Sequence, residues 1–597
     1  MKNMTWNLDS AYTSFTSAEF VADTALVQQK LEQLSAGVKA LREPFDSQIP
    51  EVQKYLLLRD KIITILATQS TYLSCLLSVD GTLEEARAKK SEVSNISSQL
   101  EQTTVPLFSF IKSCSNETLQ KLLNHPELSS HAFSWHEKRK VQAYQLSNPE
   151  EVLLQSVENP GFHAWSELYN KISGSMKCEL QYPDRKEVVG LAQASAMIRN
   201  KDETTRKVAW TAIQNAWEQQ KDTAAAILNS LVGWRHEVYK KRSNKEPLHF
   251  LDPSLTQSRI TRKTLDALMT ACYENIETSR KANSLLAKVL GKSTLAPWDL
   301  LAPSPISTQS KDHTYAEALE MITGAVGKIN PEMSKFVTMM AEKNWIEGRV
   351  LPNKRNGAFC TGFLKAREPR VFMTYLGSNS DVSTLAHELG HAYHSWVMRD
   401  LPLAQSGYPM TLAETASIFF ETVLHDSLSE KADSQEAKVE SSWGEVSEAV
   451  SLLLNIPARF EFEKNFYEQR QKRSLSADEL SQLTDEAWTK WYGPTLSAND
   501  KMFWASKLHF SISGVSFYNY PYTFGYLFSL SIYAHRESLG KDFAQTYVNI
   551  LRDTGRMTAE DLIKKHLGED IKDPAFWRKA IAVVNQKIEK FEKLVQL

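Results

Sequence analysis

The sequence predicts a mainly α-helical fold in which two helical lobes share one cleft, with a small β element. Three observations predict it. Apolar residues recur three and four positions apart through most of the 597 residues, with long charged side chains between them. Strand-like alternation is scarce. The composition, 42% hydrophobic and 23% charged, is that of a globular chain able to bury a large core.

The opening stretch MKNMTWNLDSAYTSF has no apolar run after its single lysine, and so lacks the hydrophobic segment of a secretory signal. From Glu51 to Leu76, Val52, Tyr55, Leu56, Ile62, Ile63 and Leu66 share one helical stripe with Lys61 opposite. The segment ELQYPDRK, Glu179 to Lys186, marks a boundary between a helical lobe over 1–185 and a larger lobe over 186–597. Helical periodicity lapses between Ser243 and Pro253 and again between Ala296 and Ser310, where Pro, Asn, Ser and Thr cluster. Between Arg349 and Leu376 the character changes. Gly357, Ala358, Phe359 and Cys360 follow a basic turn, and Val371 to Tyr375 is β-prone. Two readings of this small sheet stand: an edge that pairs with an extended substrate backbone, or a structural hairpin.

Val515 to Ala534 is free of charge and about long enough to span a bilayer. Its Asn519, Pro521, Gly525 and several Tyr and Ser groups need polar partners that lipid does not supply, which favours a buried helix and loop. The run Pro574 to Leu597 returns to helical spacing with Ile581, Val584, Ile588, Phe591 and Leu594.

Lys plus Arg number 69 against 71 Asp plus Glu, a net charge of -2. Such a chain has no long-range field to gather nucleic acid or an anionic membrane, and neither partner is expected. Cys75, Cys114, Cys178, Cys272 and Cys360 are odd in number, widely spaced and never form a C-x-x-C pair. They read as reduced thiols in a cytoplasmic setting.

The segment SDVSTLAHELGHAYHSW contains His387, Glu388 and His391 as H-E-x-x-H. Residues four apart on a helix lie one turn above each other, so both imidazoles can converge on one ion with Glu388 beside it. Neutral imidazole is a good zinc ligand, and the adjacent carboxylate can take a proton from an attacking water. Ser380 or Asp381 can cap this helix. A site of this type wants a third protein ligand and one open position. MTLAETASIFFETVL offers Glu414, which has a competing role as the last member of a capping box opened by Thr411. Glu421 follows two turns later on the same face, placed to accept a ligand histidine's second N–H or to face solvent. His394 lies a turn past His391 and reads as a surface or packing residue.

HELGH followed by a helix carrying A-E-T-A-S and then F-F-E resembles the M3 family of zinc metallopeptidases, in its oligoendopeptidase F branch. The resemblance takes in KRNGAFC at Lys354 to Cys360, both helices, the aromatic C-terminal stretch and the overall length. It implies a large two-lobed helical fold with a deep substrate channel, one Zn2+ per chain, and Glu414 as third ligand. It also implies endopeptidase action on internal bonds of short unstructured oligopeptides, with a water activated by zinc and Glu388.

Amide hydrolysis needs donors aimed at the oxyanion of the transition state. HFSISGVSFYNYPYTFGYLF supplies His509 and Tyr518, Tyr520, Tyr522 and Tyr526 in one Gly- and Pro-broken segment. The resemblance suggests that His509 and one or two tyrosines steady the intermediate, Tyr520 first and Tyr526 second. Packing of these rings in a core is the other reading. Two rival functions are a related exopeptidase, which needs a fixed charge to hold a peptide terminus, and a helical scaffold with structural zinc. The intact Glu388 argues against the scaffold, since a structural site is closed by four ligands and needs no base.

Overall fold

The computed structural model describes residues 4–42, 44–243, 246–306 and 313–596, and the fold is mainly α. The chain divides into two compact units, each built from three separated segments. Met1–Gln142, Ser310–Ser427 and Leu539–His566 form the first, and Ala143–Gln309, Leu428–Ser538 and Leu567–Leu597 the second. This is not the contiguous division at 185/186. ELQYPDRK is instead the turn of an antiparallel hairpin, Lys177–Gln181 with Lys186–Gly190, inside the second unit. Pro183 and Asp184 interrupt helical spacing equally well at a strand reversal and at a domain edge.

The other breaks fall between elements. One helix ends at Arg242 and the next begins at Asp252 with Pro253 in its first turn, while residues 244 and 245 lie outside the described residues. After Ala296 comes a single turn, Pro297–Asp299, and 307–310 lie outside the described residues.

In the first unit, the helix Ile49–Val79 contributes Leu56, Ile62, Leu66 and Tyr72 to a core completed by Trp6, Tyr12, Leu107 and Phe372. This helix is long and apolar enough to cross a membrane by length and composition, and half of its most apolar window is buried in the fold. The expected β element is a sheet of three short strands: β1 (Ile346–Glu347), β2 (Phe359–Phe363) and β3 (Glu368–Phe372). β3 is central, parallel to β1 and antiparallel to β2, with Phe359 opposite Phe372. β1 is too short for sequence periodicity to reveal.

Its Glu347 is fully buried, and Lys354 bonds it at 3.2 Å while donating to the carbonyls of Arg349 and Met373, each at 2.6 Å. Lys354 thereby fixes the turn that leads into β2. The sheet packs on α1 (Asn379–Val397), and α2 (Met410–Lys431) follows. The helix Phe543–Asp553, from the last segment of this unit, backs both. Leu551 and Thr554 contact His394, and the Tyr547 hydroxyl donates to the Thr415 carbonyl at 3.2 Å.

In the second unit, the charge-free stretch gives a helix of 15 residues, Tyr520–Ala534, nearly all buried against the helices Ile456–Arg470 and Pro574–Gln596. Fifteen residues span about 22 Å, short of a bilayer core. The loop before it is held from below. Arg235 donates to the carbonyls of Ile512, Ser513 and Val515 at 2.7, 3.0 and 2.9 Å. Glu463 accepts the Phe517 N–H at 2.7 Å, at a residue with φ of 55°.

Candidate active site

α1 starts with a reciprocal cap, one residue pair away from the simple cap expected. Ser378 Oγ accepts the Asp381 N–H at 3.1 Å, and Asp381 accepts the Ser378 and Leu376 N–H groups, each at 3.1 Å. With the start fixed, Val382, Leu385, Ala386, Leu389, Ala392 and Tyr393 fall on the buried face. His387 and His391, four apart, then project together.

Glu414 comes to them from α2. Thr411 lies inside α2, which begins at Met410. Its Oε2 accepts the Ser417 hydroxyl at 2.6 Å and faces both imidazoles, 3.4 Å from His387 Nε2 and 3.6 Å from His391 Nε2. The two Nε2 atoms are 3.2 Å apart. A tetrahedral zinc with ligand bonds near 2.0–2.1 Å sets its donor atoms about 3.3 Å apart. The three donors therefore fit one ion, and their side chains, 19–28% exposed, leave a side open. Carboxylates dominate the surroundings. Burial opposes charge on His387, but Glu421, Glu414 and Glu388 prevail and push it up to about 10. A site that draws a proton this strongly suits a cation.

Close approach of the two helices depends on Gly390, between the histidines. A Cβ there would stand 2.4 Å from the Ala416 carbonyl oxygen and 2.6 Å from the Ser417 Cα. Both obstacles are backbone of α2.

Glu388 is 6% exposed, and its Oε2 has no hydrogen-bond partner. Burial pushes its carboxyl up to about 7, with His387 pulling the other way. Glu421 Oε2 lies 3.4 Å from His387 Nδ1, the position from which a carboxylate sets the tautomer of a ligand histidine. Its other oxygen faces Ser383, whose hydroxyl also meets His425 Nε2 at 3.0 Å. Neither Ser383 nor His425 stood out in the sequence, because neither belongs to a recognisable spacing. His394 is fully buried, not superficial. It bonds the Thr554 hydroxyl at 2.9 Å and stacks on Tyr408 at 4.1 Å.

His509 lies in the second unit, with Nδ1 2.8 Å from Asn519 Oδ1. Its ring neighbours are Tyr518 at 4.7 Å and Tyr522 at 6.0 Å, both half-buried. Tyr520 points elsewhere. It is 1% exposed, and its hydroxyl donates to Ser258 Oγ at 2.8 Å and lies 3.3 Å from the Ser254 carbonyl. Tyr526 is buried as well. Successive residues of a helix point about 100° apart, so Tyr522, two residues after Tyr520, faces the opposite side. Tyr520→Phe is expected to cost roughly 0.5–1.5 kcal/mol of stability for the lost hydrogen bond. Thermal unfolding alongside kcat would show a stability change without a comparable kinetic one.

Comparison with known proteins places the chain. A profile described as Peptidase family M3 matches residues 196–582, and one described as Oligopeptidase F matches 111–177. An oligoendopeptidase F homolog from Borreliella burgdorferi is 22% identical over 100% of this chain and 99% of its own. Among solved structures, one from Chlamydophila abortus superposes with TM-score 0.83 at 21% identity, over 99% of this chain and 98% of that one. Oligoendopeptidase-F from Enterococcus faecium gives 0.71 at 17%, over 97% and 99%. The fold is thus shared at low identity, and the match over most of the length carries the assignment. The chain belongs to peptidase family M3, in its oligopeptidase F branch, and is a metalloendopeptidase.

Proposed function

We propose that this protein is a zinc-dependent endopeptidase that hydrolyses internal bonds of short unstructured oligopeptides in the cytoplasm. The observation that carries the reading is the triangle of His387, His391 and Glu414 donors, 3.2 to 3.6 Å on a side, beside a buried carboxyl with one oxygen unpartnered. Zinc bound to these residues supplies Lewis acidity toward water and a peptide carbonyl. Glu421 holds the His387 ring so that Nε2 is free to ligate.

Glu388 takes the proton from the attacking water. Its raised affinity for a proton makes it an effective acceptor near neutral pH and a ready donor to the departing amine. In the second unit, burial keeps the His509 ring neutral, down to about 4, with its Nδ1–H given to Asn519. Nε2 is then an acceptor, so the hydrogen-bond donors of this group are the Tyr518 and Tyr522 hydroxyls; the resemblance to the family is what gives His509 and its tyrosines a part in steadying the oxyanion. The Tyr520 hydroxyl is bonded to Ser258 and buried within the same unit. His509→Ala is expected to lower kcat by roughly 10²-fold without loss of metal.

The decisive experiment combines metal analysis with product mapping on peptides blocked at both ends. One zinc per chain and internal cuts are expected, with activity lost to a chelator and restored by zinc. Glu414→Ala should lose the metal, because two imidazoles alone do not complete the site. Retained zinc with no hydrolysis of any peptide would favour the scaffold reading, and cuts only next to a free terminus the exopeptidase.

A further inference from the structure

Polar contacts between α1 and α2 continue past the three candidate ligands, all within the first unit. Ser383 stands one turn before His387 on α1, and His425 one turn after Glu421 on α2. The Ser383 hydroxyl lies 3.0 Å from His425 Nε2 and 3.4 Å from Glu421 Oε1, while the other oxygen of Glu421 is 3.4 Å from His387 Nδ1. Ser383 and His425 are half-buried, and their chain neighbours Val382, Leu385 and Leu424 are fully buried. Polar groups in such surroundings act strongly on one another.

Two observations set Ser383 apart from an ordinary helical serine. Serines within helices commonly bond the carbonyl four residues back, and here Ser74 does so at 2.7 Å, Ser78 at 2.8 Å and Ser97 at 3.0 Å. Among the described residues Ser383 makes no such bond and turns its hydroxyl across to α2. The second observation is a count of protons. A carboxylate only accepts, and a hydroxyl has one proton to give. Both contacts of Ser383 are satisfied together when His425 Nε2–H donates to Oγ and the Ser383 O–H donates to Glu421 Oε1. Were Nε2 bare, the hydroxyl would turn to His425 and Oε1 would lose its donor.

We infer that Ser383 and His425 are positioning residues of the metal centre, carrying a hydrogen-bond chain from His425 through Ser383 and Glu421 to His387. The inference rests on the zinc reading of the site. What the chain supplies is orientation. The terminal torsion of a glutamate is soft, and a donor fixed on Oε1 pins it. Oε2 then stays at His387 Nδ1, and the ring keeps Nε2 turned to the ion position. Glu414 is pinned in the same way by its own serine, Ser417, at 2.6 Å.

The test is zinc affinity, measured by chelator competition on the full chain, with thermal unfolding of the zinc-free proteins to read packing separately. Ser383→Ala and His425→Leu are each expected to weaken zinc binding by about tenfold. Ser383→Thr keeps the hydroxyl and His425→Gln keeps an N–H donor, and both should stay within about twofold of wild type on the same reasoning. A double-mutant cycle separates positioning from packing: in a Glu421→Ala background, Ser383→Ala should remove no further affinity, because the group through which it acts is gone. Wild-type affinity in Ser383→Ala or His425→Leu overturns the inference, as does a loss that the conservative variants share or one that persists in full without Glu421. Each of these results leaves the metal reading standing. A wild-type chain that binds no zinc brings down both.

Discussion

Glu388→Gln is expected to cut peptide hydrolysis by roughly 10²–10⁴-fold, the range spanned by loss of a general base, while zinc content stays at one per chain. The substitution keeps the volume of a side chain that is 6% exposed, so packing around α1 is preserved. It removes the one thing the carboxylate does that an amide cannot, which is to take a proton. Metal analysis and kcat measured on the same preparation check it. Activity within a few-fold of wild type would sink the scheme, because among the described residues no other carboxyl combines Glu388's place next to His387 with an unpartnered buried oxygen.

Gly390→Ala should be nearly as damaging from the opposite direction. The added methyl meets backbone at 2.4 and 2.6 Å, and backbone cannot rotate away as a side chain can. α1 and α2 must separate, at a cost of roughly 1–3 kcal/mol for overpacking. Because Glu414 reaches the histidines only from α2, the same separation opens the donor triangle. Zinc affinity is expected to fall by about tenfold or more, as when the support of a metal ligand is lost. Thermal unfolding and chelator competition read the two effects separately. Unchanged affinity in a folded Gly390→Ala protein would show that the helices do not need this contact to form the site.

The legible and illegible parts of this site divide along a physical line. His387, Glu388 and His391 were legible because H-E-x-x-H is a helical spacing that survives in sequence, whereas Glu414 was singled out by the resemblance to the family and its donor atom lies with theirs. The long helices over 51–76 and 574–597 were legible for the same reason. The hairpin at Lys177–Gly190 was not, because its turn residues carry the same signature as a domain edge. Nor was the choice among tyrosines. Tyr518, Tyr520 and Tyr522 are chemically equal, and only the start of a helix at Tyr520 decides which of them turn toward His509 and which toward Ser258.

The helix Phe543–Asp553 gives the order of manufacture a meaning. A nascent chain that has emerged only as far as residue 538 already carries HELGH and Glu414, but lacks Tyr547 beneath Thr415 and Thr554 beneath His394. At translation rates of about 5–20 residues per second, the two helices that carry the candidate ligands wait unsupported while more than a hundred further residues are made. The packing that backs both helices is therefore encoded more than a hundred residues after the helices themselves, and they are made before their support.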